Sequence, residues 1–345
     1  MQVFCASPWV PVEWIKAHSL KPCGAWIAPV PESTAVPEGV CAFAQSMAAL
    51  AKTQPQAALV LTTACDQMRR AADAVTAAGA SHVFLFNLPA TWQTPAARRL
   101  YRDEVDRLGK FLERLGGHAP ASAELKTVMS DFDTQRAKLR SFIRRGTARQ
   151  NAEALARFFG DGAVNEASLE SERGQPCPRF QPSAPAADEA VRAPASKGSR
   201  VPLALVGGPL LPAQWQLFDA IESAGGRVVL HATEPGERNL LPPLPNLAPD
   251  QSPLTALANH YFDHCVDVFQ RPNTRLYDWL GTRLTERHVR GIVLWVHVGC
   301  DLWRAEAASL REACGSPVLV LDASDIHGVG LRDTNRLQAF VESLQ

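Results

Sequence analysis

Two cysteine–aspartate pairs stand at the same kind of corner in the chain, where an apolar run gives way to a helix-like stretch. Cys65-Asp66 follows "AALVLTT", and Cys300-Asp301 follows "GIVLWVHVG". The helix dipole stabilises a thiolate at such a position, and Asp is a common cap of the first turn. Ligands of open parallel sheets collect beyond the carboxyl ends of the strands. Two such corners facing each other across a cleft therefore predict one shared metal centre, whereas the alternative is that each pair is a small buried Cys beside an ordinary cap.

Composition limits the classes of protein that fit. With 345 residues and 46% hydrophobic content, the chain can bury a large core, and its length suggests two domains. Lys+Arg and Asp+Glu each total 35, which argues against nucleic acid or an anionic membrane as a partner. No apolar stretch approaches the roughly 20 residues needed to cross a bilayer, and the N-terminus lacks the features of a signal peptide. We therefore expect a cytoplasmic protein.

That compartment changes the interpretation of the eight cysteines. Structural disulfides are rare in a reducing cytosol, so cysteines with a role beyond core packing are expected to bind metal or do redox chemistry. The sequence has no CxxC spacing, which argues against a zinc knuckle or a thioredoxin-type site.

Strand-like and helix-like segments alternate in two blocks. An α/β unit with a helical extension is predicted over residues 1–165, and a Pro/Ala-rich linker over 166–200. The alternation then restarts, which predicts a second α/β unit over residues 201–345. The predicted fold class is α/β, with two Rossmann- or flavodoxin-like parallel-sheet units facing a cleft and an added helical region at about 121–159.

Segments along most of the chain resemble, in the same order, the subunits of the 2-hydroxyacyl-CoA dehydratases and the ATP-dependent benzoyl-CoA reductases, including the D component of 2-hydroxyglutaryl-CoA dehydratase. The segments that carry the resemblance are "ASPWVPVEWIKAHSLKP", "PEGVCAFAQSMAAL", "TTACDQMRR", "ATEPGERNL" and "GCDLWRAEAASLRE".

The resemblance implies a [4Fe-4S] cluster held by one cysteine from each of three segments, which are Cys41, Cys65 and Cys300 in this chain. Three protein ligands leave one iron free for water, substrate oxygen or an added sulfur. Some relatives hold a double-cubane [8Fe-9S] cluster, which needs about six thiolates if each cubane uses three. The additional ligands would then come from three further cysteines: Cys5, Cys23 and Cys265. Cys177 and Cys314 lie outside the matching segments.

The resemblance also implies a radical reaction with partners. A homodimeric iron–sulfur ATPase, the activator, injects a low-potential electron, and the cluster passes it to a CoA thioester, which is dehydrated by lyase chemistry or reduced in an aromatic ring under anaerobic conditions. The sequence has no GxxxxGK[ST] loop, so a partner must hydrolyse the ATP. A second family subunit, identical or different, is also implied. Two alternatives remain open: a non-catalytic electron-relay subunit, and a metal-free α/β module that binds a small molecule.

Three other residues are candidates for roles near the cleft, although no catalytic residue is assigned. Arg238, in a glycine turn, is a candidate for binding a CoA phosphate or a partner subunit, and the alternative is a solvated loop arginine. His231 and His297 follow or lie within strands and are candidates for a proton relay, and the alternative is a structural, hydrogen-bonded histidine.

Overall fold

The computed structural model describes residues 1–27, 39–143, 145–161, 200–245, 247–248, 250–323 and 329–345. Except for Arg200, the predicted linker 166–200 lies outside the described residues, and so does Cys177. The predicted domain bounds therefore stay predictions.

The N-terminal unit is built on a four-stranded sheet in which every pairing is parallel. Its strands are β1 (Gln2–Cys5), β2 (Lys21–Gly24), β3 (Ala58–Thr62) and β4 (Val83–Phe86), in the spatial order β2-β1-β3-β4. All five residues of β3 are buried, as expected of a central parallel strand with helices on both faces.

Four helices accompany this sheet: α1 (Val12–Ala17), α2 (Ala42–Thr53), α3 (Asp66–Ala77) and α4 (Pro95–Arg114). In α4, Thr94 caps the first turn, with its hydroxyl accepting from the Ala97 N–H at 3.1 Å. One apolar face of α4 is buried at Val105, Leu108, Phe111 and Leu112.

The predicted helical region at 121–159 consists of two helices, α5 (Ser122–Ile143) and α6 (Ala148–Asp161). The α6 helix packs beside the edge strand β2, where the Trp26 indole donates to the Ala156 carbonyl at 3.4 Å. The α6 helix therefore covers an edge of the N-terminal sheet.

The C-terminal unit repeats the architecture. Its strands are β5 (Val201–Pro209), β6 (Gly226–Glu234), β7 (Gly291–His297) and β8 (Val318–Ala323), all parallel and in the order β6-β5-β7-β8. The two sheets confirm the predicted fold class.

Five further helices follow in the chain: α7 (Gln216–Ser223), α8 (Pro253–His264), α9 (Thr274–Glu286), α10 (Asp301–Cys314) and α11 (Leu331–Ser343). Although α8 lies between strands of the C-terminal sheet in the chain, it packs on α4 and α5 of the N-terminal unit. Its Tyr261 and Phe262 belong to the same apolar cluster as Trp9 and Tyr101. The two units therefore share part of one core and meet directly.

None of the helices in the described ranges combines the length and the apolar character that a membrane crossing would require.

Candidate metal centre

Three cysteines from distant segments line one cavity between the two units. Cys41 directly precedes α2, Cys65 directly precedes α3, and Cys300 directly precedes α10. The cavity has a volume of about 260 Å³, and we call it the cysteine cavity. Each thiol therefore sits at the amino end of a helix, and three helices begin at this cavity.

The two parallel sheets place Cys65 and Cys300 at equivalent corners, each beyond the carboxyl end of a strand of its own sheet. Cys65 comes three residues after the end of β3, and Cys300 comes three residues after the end of β7. Gly299 makes the turn before Cys300 with φ of 88°, which a side chain would strain. A Cβ placed at Gly299 would lie 3.9 Å from the Cys41 Cβ. The loops of Cys41 and Cys300 are therefore in near contact across the cleft.

The aspartates of the two Cys-Asp pairs do not cap their helices, which corrects the sequence-based expectation. Cys65 and Cys300 occupy the N-cap positions in extended conformation, and Asp66 and Asp301 are the first residues of α3 and α10. Both aspartates are exposed. Because each helix begins one residue earlier than an Asp cap would place it, each carboxylate meets the helix dipole in the first turn and makes no cap hydrogen bond.

Burial keeps the three thiols protonated at neutral pH. It raises the pKa of Cys65 to about 12 and that of Cys300 to about 11, and it also raises the pKa of Cys41. The backbone N–H groups of the first helical turns act in the opposite direction, and the Ala44 N–H donates to the Cys41 Sγ at 3.5 Å. Burial outweighs these hydrogen bonds, so the thiols would lose their protons only when a bound cation supplies the compensating positive charge.

Gln67 links the segments of Cys41 and Cys65 and lies close to the loop before Cys300. Its side-chain oxygen accepts from the Cys41 N–H at 2.9 Å, and its Nε2 lies 3.7 Å from the Cβ position of Gly299. Since Gln67 belongs to the first turn of α3, its amide joins the segments of Cys41 and Cys65 and lies beside Gly299 in the loop before Cys300.

The three additional candidate ligands lie elsewhere. Cys5 and Cys23 are buried on the adjacent strands β1 and β2, and the Cys5 thiol contacts the Val3 carbonyl at 3.8 Å. Cys265 is buried at the end of α8, with its thiol 3.8 Å from the Pro8 carbonyl. The described residues that line the cysteine cavity include none of these three.

Charged side chains complete the cavity wall beside Cys300. Glu234 ends β6, and Asp267 follows α8; both line the cavity together with Ser7. The Ser7 hydroxyl donates to Glu234 at 3.2 Å, and Arg238 contacts both carboxyl groups. Sequence reasoning missed Ser7, Glu234 and Asp267, as it missed Gln67. Ser7, Gln67 and Glu234 lie within segments that carry the family resemblance, which was the signal available for them, whereas Asp267 lies outside those segments.

Arg238 is not placed to bind an exposed phosphate or a partner subunit, which corrects that expectation. Its side chain is fully buried, and it donates to the carbonyls of Ala232 and Val266 at 3.1 and 2.8 Å and to Asp267. A guanidinium saturated by internal acceptors holds the loop in place. It is neither a solvated loop arginine nor a surface anion site.

The two candidate histidines have different positions. His231 is buried, and its Nε2 contacts the Thr233 hydroxyl at 2.5 Å. His297 lines the cysteine cavity, and its Nε2 lies 2.7 Å from the Pro209 carbonyl. Burial lowers the pKa of both, so both are neutral at pH 7. Only His297 is brought to the cavity.

Within the described ranges, no group of three or more His, Cys, Asp or Glu side chains is placed to hold a single metal ion. The three thiols surround a cavity instead of converging on one point.

Comparison with protein-family models matches residues 9–344 to "2-hydroxyglutaryl-CoA dehydratase, D-component". A search of curated proteins gave no match. The family match covers nearly the whole chain, including the segments of all three cavity cysteines.

Proposed function

Because the chain belongs to the 2-hydroxyglutaryl-CoA dehydratase D-component family, we propose that it is the iron–sulfur subunit of an acyl-CoA dehydratase. In this proposal Cys41, Cys65 and Cys300 hold a [4Fe-4S] cluster. The observation that carries it is the meeting of three helix-terminal cysteines from three segments at one cavity.

The arrangement of the thiols fits a cluster better than a single ion. A mononuclear zinc site needs its sulfur ligands at about 2.3 Å from one atom. A cubane binds cysteines around its periphery, so its thiolates are held apart. Three cysteines that line a cavity without forming a single-ion site match the second requirement.

The electrostatics of the cavity also suit an anionic group. The amino ends of α2, α3 and α10 all face this space, and each contributes partial positive charge. Apolar rings of Trp9, Phe43, Phe269 and Trp303 are in the same wall and limit the access of water. Hydrogen bonding and solvent exposure both set the potential of such clusters.

When bound, the cluster would supply one-electron chemistry to a CoA thioester, as the resemblance implies. This chain would contribute the thiolates, the cavity and the surface that an ATP-hydrolysing activator contacts, because its sequence has no phosphate-binding GxxxxGK[ST] loop. A second family subunit would complete the substrate site. Dehydration is proposed ahead of aromatic-ring reduction because the matched family is named for a dehydratase.

Three alternatives differ from this proposal. A double-cubane cluster would need further thiolates, yet Cys5, Cys23 and Cys265 are buried away from the cavity lining. A metal-free binding module would leave the meeting of three cysteines at helix amino ends without a reason. An electron-relay subunit would share the proposed cluster and differ only in lacking its own thioester site.

Iron content tests the proposal. Protein prepared without oxygen should be brown and contain about four irons per chain, against about eight for a double cubane. Serine in place of Cys41, Cys65 or Cys300 should lose or degrade the cluster, because one of three protein anchors is removed. Cys314→Ser, at the last residue of α10, is the matched control and should keep the wild-type iron content.

Colourless, iron-free protein after anaerobic reconstitution would reject the proposal and leave the metal-free module. Wild-type iron and an unchanged spectrum in Cys300→Ser would remove Cys300 from the ligand set. Thioester turnover by the cluster-loaded chain without any activator would contradict the proposed partnership.

A further inference from the structure

Two carboxyl groups and one guanidinium form a buried cluster beside the cysteine cavity. Glu234 and Asp267 line the cavity, and Arg238 contacts both. The exposed fractions of the three side chains are 15% for Glu234, 8% for Asp267 and 0% for Arg238. One buried cation therefore faces two acids.

Arg238 compensates the two acids unequally. Its Nη1 lies 2.5 Å from Asp267, and its Nη2 lies 3.6 Å from Glu234. Asp267 also accepts the Phe269 N–H at 3.3 Å, so it has two donors that stabilise its charged form. Glu234 has the Ser7 hydroxyl at 3.2 Å and the longer contact with Arg238. A second negative charge here would be buried without a close cation, which is costly, so the proton belongs on Glu234.

The titration of Glu234 agrees with this geometry. Burial, and then the negative charge of Asp267, raise its pKa to about 8, although Arg238 and Ser7 act in the opposite direction. Cys300 approaches from α10, and the exposed side chains of Asp66, Arg69 and Asp301 lie at the rim of the cavity. His297 in the same wall is neutral at pH 7. Negative thiolates at the cavity would raise the pKa of Glu234 further, since like charges oppose its ionisation.

We infer that Glu234 holds a proton in the cysteine cavity and donates it to an oxygen atom of the molecule bound there. That this molecule is an acyl thioester with a hydroxyl group rests on the proposed function. In the proton transfer, the O–H bond of Glu234 breaks and an O–H bond to the ligand oxygen forms. In a dehydration, the carbon–oxygen bond breaks with its electron pair remaining on the oxygen, the departing hydroxide takes up this proton and leaves as water, and the Glu234 carboxylate remains beside Arg238.

Infrared spectroscopy of the full chain tests whether Glu234 carries the proton. At pH 6.5 the wild type should show a carboxylic acid carbonyl band that Glu234→Gln lacks, and about half of its intensity should be lost near pH 8. Glu237→Gln is the matched control, because Glu237 belongs to the same loop and its carboxylate is bonded to Arg287 at 2.5 Å. Identical acid bands in wild type and Glu234→Gln would overturn the inference.

The donor role is tested with 2-hydroxyglutaryl-CoA as the probe, with its binding measured on the same samples by equilibrium dialysis. A hydrogen bond to the ligand should shift the Glu234 band to lower frequency in the wild type and in Glu237→Gln. Binding without a shift, or no binding, would overturn the assignment of Glu234 as donor.

Iron analysis separates this inference from the proposed function. Glu234 is not among the proposed cluster ligands, so Glu234→Gln should keep the wild-type iron content. The acid band without iron would reject the cluster but keep the protonated carboxyl. Wild-type iron without the acid band would reject the protonated carboxyl alone.

Discussion

At the scale of the residue, the hydrogen bonds that hold the cysteine loops matter as much as the cysteines. Cys41 and Cys65 lie on separate loops, and the side chain of Gln67 bonds directly to the Cys41 backbone. The Ala44 N–H in turn donates to the Cys41 thiol. Partners of this kind fix the orientation of metal ligands, and their loss weakens metal binding.

We predict that Gln67→Ala releases iron to a chelator faster than the wild type, by about two- to tenfold, which corresponds to one lost hydrogen bond. Gln67→Glu should release iron more slowly than Gln67→Ala, because a carboxylate oxygen can still accept from the Cys41 N–H. The exposed Gln338 on α11 provides the control, and Gln338→Ala should match the wild type. Equal release rates in Gln67→Ala and the wild type would show that this contact does not support the cluster.

The cysteine corners were accessible to sequence reasoning, whereas the acid pair was not. An apolar run followed by Cys-Asp marks the end of a strand and the start of a helix, and the carboxyl ends of parallel strands share one edge. The pairing of Glu234 with Asp267 depends on where the loop after α8 returns to β6, and no local pattern encodes that. The burial of Arg238 was missed for the same reason.

At the scale of the element, a buried ion pair joins helices from both parts of the chain. Arg136 of α5 contacts Glu13 of α1, and the Tyr261 hydroxyl of α8 donates to Glu13 at 2.6 Å. Arg136 and Glu13 are 2% and 0% exposed, and the Arg136 guanidinium also lies over the Phe158 ring of α6. The guanidinium of Arg136 on α5 therefore contacts side chains of three further helices, α1, α6 and α8.

We predict that Arg136→Met lowers the free energy of unfolding by about 3–5 kcal/mol, because it leaves the Glu13 carboxylate buried without its cation. Adding Glu13→Gln to this variant should recover part of the loss, since no uncompensated charge then remains. Arg70→Met on the exposed face of α3 should change the free energy by less than about 0.5 kcal/mol. Denaturant unfolding measures all four proteins, and a loss in Arg136→Met no larger than in Arg70→Met would contradict the prediction.

Continuous apolar character, and not length alone, decided which strands the sequence revealed. The apolar runs before the two Cys-Asp pairs contain β3 and β7 within a few residues of their bounds. Strands β1 and β2 have four residues each and were missed. The β2 strand contains a proline and a glycine, which is tolerated because β2 lies at the edge of its sheet. Its hydrogen bonds come from pairing with β1, which is a tertiary contact.

At the scale of the whole molecule, the two units share core contacts because α8, which lies between β6 and β7 in the chain, packs on the N-terminal unit. The C-terminal segment of α8 packs against the core of the N-terminal unit, and the Arg98–Asp263 pair joins α4 to α8 at 2.6 Å. The sequence predicted two α/β units but placed α8 with the C-terminal one. The sequence pattern of an amphipathic helix shows which face is buried, but it does not show on which sheet that face packs.

Several buried histidines lower the stability of the folded protein at acidic pH. Burial lowers the pKa of His231 to about 3 and that of His260 to about 4. In the unfolded chain both take up protons below about pH 6.5, so the unfolded state binds more protons and stability falls as the pH falls through this range. Glu234 acts in the opposite direction, because its folded-state pKa of about 8 keeps a proton that the unfolded chain releases above about pH 4.5.

The contribution of one histidine is isolated by comparing variants. We predict that the free energy of unfolding falls less in His260→Gln than in the wild type between pH 7 and pH 5. Below pH 6.5 the difference between the two proteins should grow by up to about 1.4 kcal/mol per pH unit. The Gln amide can still donate to the Pro242 carbonyl, which lies 3.1 Å from the His260 Nε2. The control is His288→Asn, at an exposed position with φ of 50° that asparagine tolerates. Urea unfolding at pH 7, 6 and 5 gives the three slopes, and equal slopes in the wild type and His260→Gln would contradict the prediction. Because Glu234 is present in all three proteins, its opposing effect cancels in the difference.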